Sequence, residues 1–187
     1  MEVITFNDAG EKVNQLINKF GQNIQHCYQC GKCTAGCPVA FAMDIAPNQI
    51  IRMLQLGLLD EALRSETIWL CATCSTCSTR CPKGFDLAKL MDSLRSYALQ
   101  QGIKPNGRGR NVSLFNQLFL DSLRKYGRTY EMGLMLKYNL NLHTPFKDAM
   151  LGLDMFSRGK LKLAPERIKG SKDILQIMEN IKKLEMK

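Results

Sequence analysis

Apolar residues along this chain recur mostly at intervals of three and four, and no stretch alternates apolar and polar positions with a period of two. The spacing therefore predicts helices. Pro47 and Asn48 open a helix whose apolar positions are Ile50, Ile51, Leu54 and Leu58, interrupted by Gly57, and a second short helix runs through Asp60, Glu61, Ala62, Leu63 and Arg64. Asp86 is the expected N-cap of a longer helix with Leu87, Leu90, Met91, Leu94, Tyr97 and Ala98 on one face, running to Gly102. Lys104 to Arg110 (KPNGRGR) reads as a loop. Ser113 then caps a helix with Phe115, Leu118, Phe119, Leu123 and Tyr126 on its inner side and Gly127 at its end. Another helix is expected over about Thr129 to Tyr138. Thr144 as N-cap and Pro145 at the first position start the next, which bears Phe146, Ala149, Met150, Leu153 and Phe156. Ser157 to Gly170 is a basic, irregular arm. Ser171 begins a last helix with Ile174, Ile177, Met178, Ile181 and Leu184 in a stripe, and Lys182 and Lys183 suit its C-terminal dipole. The expected fold class is all-α.

A length of 187 residues with 45% hydrophobic content is enough for one compact domain or two small ones and excludes a disordered chain. Met1 to Phe20 is broken by polar and acidic residues and lacks the apolar core of a secretory signal. No run approaches the roughly 18 apolar residues of a membrane span. A soluble, cytoplasmic protein is expected. In a reducing compartment its eight cysteines are metal ligands, catalysts or core residues rather than disulfides.

The cysteines form two sets, Cys27, Cys30, Cys33, Cys37 and Cys71, Cys74, Cys77, Cys81, each spaced C-x2-C-x2-C-x3-C and followed by proline, Pro38 and Pro82. Each cysteine of the second set stands 44 residues after its counterpart, while the intervening residues differ. This run is the signature of a bacterial-type cubane ligand set, in which the fourth cysteine serves the other cluster. Three cysteines at two-residue gaps wrap one cube, and the proline turns the chain away before the fourth. Two [4Fe–4S] clusters are expected, one on Cys27, Cys30, Cys33 and Cys81, the other on Cys71, Cys74, Cys77 and Cys37. A degraded or three-iron site is the lesser alternative. Zinc suits this pattern poorly, because a single tetrahedral ion takes separated pairs. A Rieske-type site needs two histidines, and His26 and His143 lie far apart in sequence, so both read as ordinary residues.

Eight ligands leave no thiol for a nucleophile or a redox disulfide, and the chain has no Cys-Cys-Gly repeat, no G-x-G-x-x-G fingerprint and no phosphate-binding P-loop. No catalytic residue is expected; the chain reads as an electron wire. The formal charge of +9 falls to roughly +5 once two oxidised clusters are counted. The hydroxyls of the second motif, Thr73, Ser75, Thr76, Ser78 and Thr79, suggest a higher potential for its cluster, unless they only cap turns and helix ends. Lys32, Arg80 and Lys83 flank the loops, and Tyr28 and Trp69 are expected to pack around the cubes.

Paired cluster motifs in a helical setting resemble the helical ferredoxin domain of the iron–sulfur subunits of succinate dehydrogenase, anaerobic glycerol-3-phosphate dehydrogenase and heterodisulfide reductases. The stretches HCYQCGKCTAGCPVA, WLCATCSTCSTRCPKGFDL and LRKYGRTYEMGLMLKYNL, together with the overall length, resemble in particular the iron–sulfur C subunits of the soluble heterodisulfide reductases of methanogenic archaea. The resemblance implies a helical ferredoxin domain over residues 1–103 and a helical C-terminal extension, 104–187, that docks on other subunits. It implies a relay of single electrons from the A subunit, which carries flavin and iron–sulfur clusters, to the catalytic B subunit. The latter reduces the heterodisulfide of coenzyme M and coenzyme B in methanogenesis, and a hydrogenase or formate dehydrogenase joins the larger complex. The nearest rival is a relay subunit of another soluble redox complex acting on a quinone or a sulfur compound. A nucleic-acid binder is suggested by the basic charge and the GRGR sequence, but no binding fold accompanies them and aromatics are few, so no nucleic-acid partner is expected.

Overall fold

The computed structural model describes residues 13, 23–147, 149–160, 164–166 and 168–185. Among these the secondary structure is helical, with no strand, as the periodicity predicts. No described helix is long and apolar enough to cross a membrane. The chain forms two compact units, Met1–Val112 and Ser113–Lys187. The reading of Met1 to Phe20 lies, apart from Val13, outside the described residues.

In the first unit the helices are α1 (Lys32–Ala35), α2 (Pro47–Gln55), α3 (Leu59–Arg64), α4 (Thr67–Leu70), α5 (Thr76–Arg80) and α6 (Leu87–Gln100). Pro47 occupies the first turn of α2, where its missing N–H costs nothing, and the chain leaves α2 through a turn at Gly57. Asp86 caps α6 by accepting from Lys89 N–H at 3.1 Å. The predicted apolar stripes form the core: Ile50, Ile51 and Leu54 of α2 meet Leu59, Ala62 and Leu63 of α3 and Leu87, Leu90, Met91, Leu94 and Ala98 of α6. Burying an aliphatic side chain of this size stabilises by about 1.5–3 kcal/mol. Cys27, Cys33, Cys71, Cys77 and Cys81 pack against this core, so the motif loops are seated on it.

The next helix, α7 (Gly107–Tyr126), begins six residues before the expected cap at Ser113, and the whole GRGR stretch is helical rather than loop. Tertiary contacts override the glycine-rich composition. Pro105 is buried, Arg108 Nη1 donates to Ala42 O at 3.2 Å, and the Glu66 carboxylate lies against Gly107 at the start of the helix.

The second unit continues α7 and adds α8 (Glu131–Asn141), α9 (Ala149–Ser157) and α10 (Ser171–Glu185). Gly127 ends α7 as expected. Helix α9 starts at Ala149, not at Pro145: residues 145–147 form a turn in which Lys147 N–H bonds Thr144 O, and Asp148 is outside the described residues. The inner side expected for α7 is only partly covered, with Phe115 stacked on Phe119 and edge-on to Tyr138 while both phenylalanines stay exposed. The described part of the basic arm is tied back to α7, because Ile168 N–H donates to Tyr126 O and Arg128 pairs with Glu166 at 3.2 Å. Lys162 and Arg167 of that arm are outside the described residues.

Candidate metal-cluster site

The two cysteine motifs fold alike. In the first, a short 3-10 turn (Ile24–His26) leads to Cys27, the loop carries Cys30, and α1 holds Cys33 before the chain exits at Cys37. In the second, α4 ends at Cys71, the loop carries Cys74, and α5 holds Cys77 before Cys81. The backbone repeats with the cysteines. Gln29 and Thr73 have φ of 61° and 52°, and Gly31 and Ser75 have φ of 74° and 59°. Both pairs are 44 residues apart, so the left-handed turns before the second and third cysteines are a shared device, although only one of the four residues is glycine.

Two cavities lie side by side at these loops. One is lined by Cys27, Cys30, Cys33, Cys77 and Cys81, the other by Cys33, Cys37, Cys71, Cys74 and Cys77. They hold about 360 and 380 Å³ of atom-free space, part of it open to solvent. Cys33, Cys77 and Leu87 line both and form the wall between them. The remaining lining is largely apolar, with Ile51 and Phe85 in the first and Val39 and Met91 in the second, and no carboxylate faces either. All eight cysteines are free thiols. Soft sulfur donors around a carboxylate-free, mostly apolar space fit iron–sulfur clusters. Among the described residues no three cysteine, histidine or carboxylate side chains converge on a single-ion site.

The thiols differ by position. Cys30 and Cys74, the second of each motif, are exposed. The Lys32 N–H pulls the Cys30 thiol below its ordinary pKa, and the Thr76 hydroxyl does the same for Cys74. Burial pushes Cys33, Cys71 and Cys77 up. Several groups reach sulfur: Phe85 N–H donates to Cys81 Sγ at 3.3 Å, Gln29 Nε2 to Cys27 Sγ at 3.6 Å, and Cys74 Sγ lies 3.4 Å from Thr76 Oγ1.

Most hydroxyls of the second motif are engaged elsewhere. Ser78 Oγ donates to Asp86 at 2.5 Å, Thr79 to Ser75 O at 3.2 Å, and Thr73 Oγ1 accepts from Arg95 at 2.7 Å. Ser78 and Thr73 are thus held by side chains and only Thr79 by a backbone carbonyl of its own turn. Trp69 packs in the core, whereas Tyr28, expected to pack, is 57% exposed with Lys83 Nζ 5.9 Å above its ring. Lys32, Arg80, Lys83, His26 and His143 are exposed, and the Arg80 side chain lies across Gly36, joining one motif to the other. Periodicity gives no hint of Gln29, Asn48, Gln55 and Arg95. Their side chains reach the loops through contacts that span up to 28 residues of sequence, and no local pattern announces them.

Comparison with known proteins adds to this geometry. Residues 23–85 match the family of 4Fe–4S dicluster domains. The iron–sulfur C subunit of the CoB–CoM heterodisulfide reductase of Methanopyrus kandleri is 39% identical over 93 residues, 50% of this chain and 48% of that one. The C2 iron–sulfur subunit of the Methanocaldococcus jannaschii enzyme is 40% identical over 81 residues, 43% of each chain. The C subunit of the H2:CoB–CoM heterodisulfide,ferredoxin reductase of Methanothermobacter marburgensis is 35% identical over 82 residues, 44% of each. The chain thus matches somewhat under half the length of these relatives. The segment carrying both motifs is similar to a 4Fe–4S dicluster domain, and its eight cysteines in two motifs support two [4Fe–4S] clusters.

Proposed function

We propose that the chain is the electron-relay subunit of a heterodisulfide reductase, passing single electrons from a flavin-containing subunit to the catalytic subunit that reduces the coenzyme M–coenzyme B heterodisulfide. The observation that carries this reading is the pair of adjoining cavities walled by cysteines of both motifs. On it, Cys27, Cys30, Cys33 and Cys81 hold one cluster and Cys71, Cys74, Cys77 and Cys37 the other. Bound clusters supply two one-electron stations. The chain's own part is to hold them adjacent, with Cys33, Cys77 and Leu87 between, and to exclude water with the apolar lining. The exposed second cysteines leave each site an open edge. Residues 1–103 are the cluster domain. Residues 104–187 are its extension for docking on partner subunits, supported by exposed apolar side chains such as Phe146, Met150 and Leu153.

Anaerobic iron and sulfide quantification with electron paramagnetic resonance of the reduced protein tests this. About eight irons and two interacting cubane signals are expected. Cys81→Ser perturbs the signal that Cys30→Ser perturbs, because cross-ligation puts both on one cluster. Co-purification brings a flavoprotein and a Cys-Cys-Gly-rich subunit. Zinc, or a single cluster, refutes the reading.

A further inference from the structure

Among the differences between the two motifs is one of charge at a shared backbone position. The carbonyl of the first cysteine in each motif is held by a long side chain from a helix behind it. Gln55 Nε2 on α2 donates to Cys27 O at 3.0 Å, and Arg95 Nη1 on α6 donates to Cys71 O at 3.1 Å. The two carbonyls are 44 residues apart and equivalent, but one receives a neutral amide and the other a guanidinium that stays charged at any pH the protein meets. Arg95 also donates to Thr73 Oγ1, which fixes its plane beside the second loop. Its side chain is only 17% exposed, so water screens it less than it screens the exposed Lys32 that acts on Cys30. Asp92 pairs with Arg95 from the solvent side and, at 52% exposure, offsets only part of that charge.

We propose that Arg95 is a positioning residue for electrons: its charge at Cys71 raises the reduction potential of the second-motif cluster and draws the electron toward the open Cys74 edge. This rests on the two-cluster reading above. A cluster gains one negative charge on reduction, and a fixed cation favours the more negative form. The neutral Gln55 gives the first cluster no such help. The direction follows: electrons enter at the Cys30 edge and leave at the Cys74 edge.

The test is a potentiometric titration followed by electron paramagnetic resonance on the intact, cluster-loaded chain, with the second-motif signal assigned by its perturbation in Cys74→Ser. Arg95→Gln gives the second motif the chemistry of the first. The reduced-to-oxidised ratio of that cluster at fixed solution potential is expected to fall about tenfold, about 59 mV for one electron, with the first cluster unmoved. Arg95→Lys keeps the charge and restores most of the shift. Asp92→Asn strips the partial neutralisation and shifts the same cluster the opposite way, upward. If the salt bridge were only structural, Arg95→Gln and Asp92→Asn would loosen the loop alike and move the potential in the same direction or not at all; either result overturns the proposal. Should Arg95→Gln fail to hold its cluster, the upward shift in Asp92→Asn decides alone. A wild-type protein with fewer than two clusters overturns the underlying reading instead, which the iron count distinguishes.

Discussion

Asp44 and Thr67 are locked together across 23 residues: the carboxylate accepts from Thr67 N–H at 2.9 Å and lies 2.8 Å from Thr67 Oγ1. It also accepts from Glu66 N–H and Ile45 N–H, both at 2.9 Å. One side chain just past the first motif thus caps α4, the helix that delivers Cys71. Burial works against its charge, but the hydrogen bonds from Glu66, Thr67 and Ile45 outweigh it and hold the carboxyl below its ordinary value. A depressed folded pKa contributes stability that is present above the unfolded value, about 3.9, and lost as pH falls through the folded one. Asp44→Asn is therefore expected to cost about 1 kcal/mol at neutral pH, with the gap to wild type closing below about pH 4 in denaturant unfolding. A gap independent of pH would show that the charge contributes nothing.

Gly107 starts α7 at φ +50°, and a Cβ there would overlap Glu66 Oε1. The carboxylate sits where the helix end is electropositive, so close approach and dipole act together. Gly107→Ala forces the carboxylate away and strains the backbone, for an expected loss of about 1–3 kcal/mol. Glu66→Ala alone should cost less than about 1 kcal/mol. In the double variant the losses are less than additive, because removing the carboxylate relieves the clash but not the φ strain. Unfolding free energies of the four proteins measure this, and strict additivity would refute the contact.

Gly31 and Ser75 hold the same turn in the two motifs, at φ of 74° and 59°. Ser75→Gly relieves a left-handed serine and should be neutral or stabilise by up to about 1 kcal/mol, the relief being offset by the extra freedom of glycine in the unfolded chain. Gly31→Ala imposes the strain that Ser75 already carries and should cost about 1–2 kcal/mol. Equal losses at both sites, read by thermal unfolding of the cluster-loaded protein, would mean that the turns are not equivalent.

These turns mark the border of what is legible in the chain. Cysteine spacing displays the repeat and its likeness to a cubane ligand set, and the three-four periodicity displays the cores of α2, α3 and α6, with Asp86 capping as its residue type suggests. Positive φ at Gln29, Thr73 and Ser75 has no such signal, since these residues rarely adopt it and do so only where the fold over-determines them. The start of α7 escapes the sequence for a related reason: Glu66 and Ala42, 41 and 66 residues before their partners Gly107 and Arg108, turn a glycine-arginine run that reads as loop into helix. In the second unit the stripes are visible but their burial is not, and Ile177, Ile181 and Leu184 of α10 remain exposed.

Three side chains aim one amide at a cysteine sulfur. Thr34 Oγ1 accepts from Asn48 N–H at 3.1 Å and donates its own proton to Asn48 Oδ1 at 2.6 Å. That leaves Asn48 Nδ2 to donate to Gln29 Oε1 at 3.1 Å, and with its oxygen so occupied Gln29 presents Nε2 to Cys27 Sγ at 3.6 Å. With the bonds in these directions, turning the Gln29 amide over breaks its contacts with both Asn48 Nδ2 and Cys27 Sγ. A hydrogen bond to a ligand sulfur favours the reduced, more negative cluster. Gln29→Leu keeps the bulk and removes the donor, and should lower the midpoint of the cluster proposed on Cys27 by about 40 mV, the equivalent of a hydrogen bond worth about 1 kcal/mol. Asn48→Ala frees the amide to turn its oxygen toward the sulfur and should shift the same midpoint in the same direction. Potentiometric titration of both variants reads the effect, and an unmoved first cluster beside an intact iron count would mean that the relay orders the loop without tuning the metal.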